Sequence, residues 1–204
     1  MRVVVDNGPG KGRRPRATQR GRQAAPAITL RAATAADAPA LHALIAAHLE
    51  EGRLLPRTLG ELADHAHRFV VATRGDVVAT RGEEVVGCAE LAPLSKAVAE
   101  VRSLVVSRQA RQTGLGYRMV DELGRRARRE GFERLTAFAH DPRFFVRLGF
   151  SIVPHTWVPE KIAHDCHSCP LFRNCGQYAI VLDLERAQAQ SGAAARATAG
   201  GGRG

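Results

Sequence analysis

Apolar positions recur along this chain with two periods, and the switches between them outline its elements. Ile28-Thr29-Leu30-Arg31 alternates with period two and predicts a short strand. Leu41, Leu44, Ile45 and Leu49 then recur at helical spacing, behind a Thr34-x-x-Asp37 capping box and ahead of the stop Glu50-Glu51-Gly52. Leu54-Leu55-Pro56-Arg57 reads as a loop, because Pro56 disfavours helix at Leu55. Thr58, with Glu61 in the box position, caps a second helix running to about His67. Apolar runs predict strands at Phe69–Ala72, Val85–Leu91 and Val98–Val106. V-V-A-T-R-G occurs at 70–75 and again at 77–82. A strand-turn-strand needs one copy, so the second reads as a local duplication that lengthens a hairpin or loop.

A short basic loop and a Gly-rich turn, Arg111-x-x-Gly114-x-Gly116, separate the third of these strands from a helix over Tyr117–Glu130. Met119, Val120, Leu123 and Ala127 form that helix's core stripe. Arg125, Arg126, Arg128 and Arg129 form its solvated face, and Gly131 its stop. Arg134–Phe138 is the next strand. Asp141-Pro142, as N-cap and first helical residue, opens a short helix ending at Gly149. Strands at Phe150–Val153 and Tyr178–Leu184 close the order β-α-α-β-β-β-α-β-α-β-β. That order predicts a single mixed α/β domain, mostly antiparallel, with one crossover around the Gly-rich turn.

Composition trims the picture at the ends. Residues 1–26 are rich in Arg, Gly, Pro and Gln without periodicity, and 187–204 are low-complexity, so both are expected to be disordered tails flanking a domain over 27–186. The net charge is +10, of which residues 1–26 carry +6 and 187–204 carry +2. The body is left with +2, so the high charge describes the tails and argues against a nucleic-acid-binding face. Arg13-Arg14 is followed by no apolar region of a signal peptide, and no apolar run reaches membrane-spanning length. The expectation is a cytoplasmic protein with no membrane partner.

The Gly-rich turn carries the first candidate chemistry. A strand, a turn and a helix start leave backbone N–H groups pointing one way at the positive end of a helix dipole, which suits an anion. The turn lacks the Gly-Lys-Ser/Thr of a mononucleotide loop and the G-x-G-x-x-G of a dinucleotide fold. V-R-S-L-V-V-S-R-Q-A-R-Q-T-G-L-G at 101–116, with F-F-V-R-L-G-F at 144–150, resembles the GNAT superfamily of acetyl-CoA-dependent N-acetyltransferases over about residues 28–184.

The resemblance implies a GNAT fold and acetyl-CoA as co-substrate. It places Leu104, Val105 and Val106 along the pantetheine arm, and Arg111, Gln112, Thr113, Gly114, Leu115 and Gly116 around the pyrophosphate. Gln112 stands where that family commonly has Gly, with little loss expected. Phe145 stands where many members have a tyrosine acid, so a tyrosine-acid mechanism is in doubt. Further matches at Leu54–Leu62, Gly87–Leu91, Ala99–Arg102, Val158–Lys161 and Val181–Leu184 are similar to the acetyltransferase domain of N-acetylglutamate synthases, in a short form without an amino-acid-kinase domain. This implies transfer of acetyl to L-glutamate, the first step of arginine biosynthesis. The alternatives are another small amine, a protein amine, or a non-catalytic acetyl-CoA-binding regulator.

Acetylating an amino acid requires its ammonium to lose a proton. Glu100 is the expected catalytic base and Glu90 the other candidate, each against the plain alternative of a strand carboxylate paired with arginine. Arg102 shares a face with Glu100 two residues on. Two substrate carboxylates call for guanidinium partners, with Arg57 first, then Arg102 and Arg173. Leu55 and Cys88 contribute backbone groups by resemblance, and a backbone N–H near Val105 is expected to hold the oxyanion. Cys166-x-x-Cys169 and Cys175, with His164 nearby, could hold a structural zinc, line the substrate loop as reduced thiols, or act as a redox-sensitive pair. The partner is then a small amino-acid substrate, with homo-oligomerisation left open.

Overall fold

The computed structural model describes residues 27–52, 54–75 and 83–185. The expected tails at 1–26 and 187–204, and the second V-V-A-T-R-G copy, lie outside the described residues. Seven strands form one sheet: β1 (Ile28–Ala32), β2 (Phe69–Arg74), β3 (Glu84–Pro93), β4 (Val98–Val106), β5 (Arg134–Ala139), β6 (Ser151–Val153) and β7 (Tyr178–Asp183). Their spatial order is β1-β2-β3-β4-β5-β7-β6. Every neighbouring pair is antiparallel except β4 and β5, which the crossover helix α4 (Leu115–Arg129) joins in parallel. The expected mixed α/β architecture is therefore present, crossover included.

Two apolar layers cover the two faces. Met119, Val120, Leu123 and Ala127 of α4 pack on Val86, Ala89, Leu91, Ala99 and Val101. On the opposite face Leu41 and Ile45 of α1 (Ala38–Ala46), with Leu62, cover Phe69, Val71, Cys88 and Val105. A fully buried leucine such as Leu123 is worth about 1.5–3 kcal/mol by its area, which is why the helical stripe was so readable.

Local differences from the sequence reading have local causes. The capping-box region opens with a 3-10 turn at Ala35–Asp37, where Asp37 Oδ2 accepts from the Thr34 backbone N–H at 2.8 Å. The first helix stops at Ala46, and a separate turn of helix, α2 (Leu49–Gly52), follows. Next comes α3 (Leu59–Asp64), with Thr58 Oγ1 accepting from Glu61 N–H at 3.2 Å as expected. The short helix after Asp141, α5 (Arg143–Val146), has Pro142 rather than Asp141 at its cap, although Asp141 Oδ1 still accepts from the Arg143 N–H. Phe150 is buried core rather than strand, its N–H bonded to the Phe145 carbonyl. Of the four outer arginines of α4, Arg125, Arg126 and Arg129 pair with neighbouring carboxylates. Arg128 instead donates to the Leu184 carbonyl at 3.2 Å and ties the end of β7 to the helix.

Candidate active site

β4 builds the site, and a bulge decides its shape. Cys88 faces Val105 and Glu90 faces Arg102, so β4 advances three residues where β3 advances two. Ser103 takes up the extra residue with a positive φ of 47°, a region that disfavours side chains, and its carbonyl accepts from the Cys88 thiol at 3.4 Å. The bulge inverts the strand's parity. Ala99 and Val101 point to the α4 layer before it, whereas Leu104 and Val106 do so after it, and Val105 turns to the α1 layer. Pairing with β5 covers only Val98–Val101 of β4. From Arg102 onward the β5-side backbone groups of β4 have no strand partner, and such groups need one.

Beyond Val106 the chain makes a 3-10 turn at Arg108–Ala110. Gln112 at φ 63° and Gly114 at φ 76° then curl it into α4. Thr113 Oγ1 donates to the Ala110 carbonyl at 2.7 Å and closes the loop. The helix begins at Leu115, slightly earlier than its periodicity suggested, so the N–H groups of its first turn lie in the loop itself. Gly116 suits the close approach there: a Cβ would lie 3.3 Å from the Phe144 ring, which would have to shift by a few tenths of an ångström. A cavity of about 300 Å³ runs along this wall, between Leu104, Val105 and Val106 on one side and His48, Leu54 and Phe144 around it, with Arg111 and Gly116 at the turn. Leu104, Val105, Val106, Arg111 and Gly116 thus meet at one cavity. The sequence reading missed His48, Leu54 and Phe144. Only tertiary packing brings a turn after α1 and the start of α5 to β4, so no local signal could have found them.

The tyrosine-equivalent position, Phe145, is buried in the core against Phe150 at a centroid distance of 5.3 Å, and Phe144 is the ring at the cavity. Neither carries a hydroxyl.

Charged groups gather on the α1 side of the sheet. Arg57 donates from Nη1 to Glu90 Oε2 at 2.8 Å and to Ser103 Oγ at 3.1 Å, with its guanidinium 5.9 Å from the Phe69 ring centre. Glu61 approaches its Nε at 2.7 Å. Burial alone would pull the Arg57 pKa down, but the hydrogen bond and charge of Glu90 more than offset it and hold it above the usual value. Glu100 is almost fully buried and accepts from Arg102 Nε at 2.6 Å and from Lys161 Nζ at 2.8 and 2.9 Å. Lys161 lies on α6 (Pro159–His164), over the Phe138 ring at 5.0 Å. Asp165 closes the cluster on Arg102 and Lys161. Burial works against ionising Asp165, yet hydrogen bonds from Lys161 and His164 and the Arg102 charge leave its carboxyl below the ordinary range. Glu90 is thus paired with Arg57 and Glu100 with Arg102, the strand carboxylate–arginine pairing given above as the plain alternative, and Lys161 and Asp165 join the second pair.

Other expected groups are placed differently. Burial drives the Cys88 thiol up to about 12, against the lowering effect of a hydrogen bond from the Val105 backbone. Leu55 is 71% exposed on its loop. Arg173 is exposed on a 3-10 turn at Phe172–Asn174, and among the described residues no ion pair joins it to the cluster. Cys166 and Cys169 are half-buried, Cys175 is exposed, and all three are free thiols. Among the described residues no group of three or more Cys, His, Asp or Glu is placed to hold a metal ion, Cys166, Cys169, Cys175 and His164 included.

A strand that splays from its parallel neighbour at a bulge, then a left-handed turn into a helix start beside a cavity, defines an N-acetyltransferase of the GNAT fold. The Acetyltransferase (GNAT) family model matches residues 38–150, and the chain belongs to that family. An uncharacterized N-acetyltransferase of Chlorobaculum tepidum is 30% identical over 155 residues, covering 76% of this chain and 96% of that one. The amino-acid acetyltransferase of Mycobacterium tuberculosis is 29% identical over 145 residues, covering 71% and 79%. Among solved structures, N-acetylglutamate synthase of Neisseria gonorrhoeae complexed with coenzyme A and N-acetyl-glutamate superposes with a TM-score of 0.66 at 28% identity, over 77% of this chain. This chain spans 35% of that one. No helix among the described residues is long and apolar enough to cross a membrane.

Proposed function

We propose that this enzyme transfers the acetyl group of acetyl-CoA to the α-amino group of an amino acid, with L-glutamate the favoured substrate, as the first step of arginine biosynthesis in the cytoplasm. One observation carries the reading: β4 is at once the cavity wall leading to the phosphate-suited turn and the strand bearing Glu100 and Arg102. Acyl donor and charged acceptor would meet along a single strand. The ligands bound in the gonococcal synthase structure, coenzyme A and N-acetyl-glutamate, support both halves.

The residues present fit acetyl-CoA. The turn at Arg111–Gly116 offers helix N-terminal N–H groups to a pyrophosphate, and Gly116 keeps the cavity open where any Cβ would meet Phe144. Leu104, Val105 and Val106 line the cavity, and the β4 backbone there would serve the pantetheine arm. Gln112, Thr113 and Leu115 contribute through their backbone. Arg57 and Arg102 are the guanidiniums for the substrate carboxylates, with Leu55 and Cys88 at the substrate end and Arg173 the outlying candidate.

Glu100 is the proposed base. Its partner Lys161 comes from a separate six-residue helix rather than from the sheet, so those hydrogen bonds can open without disturbing a strand. Glu90 is held by Arg57, which is itself anchored on Ser103. Base catalysis of this kind is worth about 10²–10⁴ in rate.

Thiol release from acetyl-CoA, measured across the amino acids, tests the assignment. L-Glutamate is expected to give the fastest release. No release with glutamate at saturating acetyl-CoA and reduced cysteines would sink the substrate, and less than a threefold loss of kcat in Glu100→Gln would remove Glu100 as base.

A further inference from the structure

His48 is absent from every role above, yet it is one of the residues lining the cavity. It sits in the turn between α1 and α2, its backbone N–H bonded to the Ile45 carbonyl at 3.0 Å. Its Nδ1 lies 2.8 Å from the Leu44 carbonyl oxygen. A carbonyl only accepts, so Nδ1 carries the proton, and it satisfies one of the carbonyls that the end of α1 would leave unpaired. In the neutral ring the lone pair then belongs to Nε2. The tautomer is thus set by the helix end.

The chemistry of the other walls makes that lone pair informative. Leu54, Phe144 and the side chains of Leu104 and Val106 are apolar, Gly116 has none, and Arg111 carries only donors. β4 presents its backbone groups from one side only. A chain bearing secondary amides that threads this cavity needs acceptors for its N–H groups, and leaving a buried donor unpaired is expensive. Among these walls, His48 Nε2 is the side-chain acceptor.

We infer that His48 is a binding residue for the co-substrate: its Nε2 accepts a hydrogen bond from an amide N–H of the pantetheine arm, opposite the β4 backbone. The inference rests on the acetyl-CoA reading above and names a residue of that site. It makes the end of α1 part of the acyl-CoA site and gives the break between α1 and α2 a purpose. A continuous helix would have satisfied the Leu44 carbonyl with a backbone N–H and left the imidazole no reason to face this way.

The competing role is a helix cap alone, and two amide substitutions separate the roles. Asn reaches the Leu44 carbonyl with its amide N–H but has no atom at the Nε2 position. Gln places an amide oxygen near that position. Binding to the substrate-free protein is measured by calorimetry with CoA and with 3′,5′-ADP, which lacks the pantetheine arm. In His48→Asn the CoA dissociation constant is expected to rise about 5- to 10-fold, the value of one hydrogen bond, while that for 3′,5′-ADP stays within about twofold. His48→Gln is expected to return CoA binding to within about threefold of the starting protein. Unchanged CoA binding in His48→Asn, equal weakening for both ligands, or no recovery in His48→Gln would each overturn the inference. If the unaltered protein binds neither ligand, the acetyl-CoA reading itself fails, and His48 with it. Binding by the unaltered protein together with normal binding by His48→Asn removes His48 alone.

Discussion

Arg57 and Glu90 form an ion pair at 2.8 Å, with the Glu90 side chain 2% exposed and the Arg57 side chain 11% exposed. The pair joins a loop that the sequence leaves without structure to the centre of the sheet, and Ser103 Oγ also accepts from the guanidinium. A buried carboxylate cannot be left alone without a large cost. Arg57→Ala is therefore expected to destabilise the fold by about 3–5 kcal/mol, and the double change Arg57→Ala with Glu90→Gln by clearly less than the sum of the two single changes. Urea unfolding of the four proteins measures the coupling. Additive effects would mean that the pair is not joined in solution. The same Arg57→Ala protein, where folded, should show a raised KM for the amino acid.

Gln112 holds a φ of 63°, which glycine adopts freely and a side chain does not. The sequence reading expected little loss from glutamine here. Gln112→Gly is expected to raise stability by about 1 kcal/mol, or a melting temperature higher by about 2–4 °C, with CoA affinity within about twofold. A fall in the melting temperature would show that the Gln112 side chain makes compensating contacts.

Cys88 has no exposure and a thiol pKa near 12, while the other three cysteines lie on the segment after α6. An aromatic disulfide reagent at pH 8 should titrate three thiols in the native protein and four in guanidinium. Four native equivalents would place Cys88 within reach of solvent. Three native equivalents after prolonged exposure to a zinc chelator, and three before it, would agree with thiols that hold no metal.

Arg31 clamps Asp37 with two hydrogen bonds of 2.8 Å and lowers its carboxyl to about 2. Because the folded-state value is the depressed one, the stabilisation is complete above the usual carboxylate pKa. It is lost as pH falls through about 4 towards 2. Asp37→Asn should cost about 1 kcal/mol at pH 7, discounted for the half-exposed Arg31, and the gap from the unaltered protein should close by pH 2. A gap that stays constant with pH would assign the effect to the backbone cap at Thr34 instead.

Much of the fold was legible because its signals are local. The α4 stripe, the runs of β2 to β4 and the Thr58 cap each depend on residues within a few positions of one another. The same holds for Gly114, whose positive φ at the turn is a local backbone requirement. Boundaries were less legible where a contact from elsewhere intervenes. α1 stops at Ala46 beside an imidazole that takes a helix carbonyl, and Phe150 leaves its strand for the core between Phe145 and the sheet. The charged residues were readable as types and spacings, and Glu100 with Arg102 was even placed on the right face. That Lys161 and Asp165 complete their cluster from more than sixty residues away was not readable.

By itself, then, the sequence determined the succession of the seven strands, the parallel crossover, the Gly-rich turn and the family, but not the short helices α2 and α6. These follow from hydrophobic period and backbone chemistry, which act over short distances. Only the tertiary structure decided which side of β4 each residue faces. One extra residue at Ser103 inverts the alternation, and nothing in the alternation of V-R-S-L-V-V announces it. That single inversion turns Val105 to the α1 layer while keeping Leu104 and Val106 on the α4 layer, and it draws the strand out of register with β3 where β5 no longer pairs with it. The cavity, with His48 and Phe144 on its walls, exists because of how layers pack around that bulge, and packing between distant segments leaves no periodic trace in a chain.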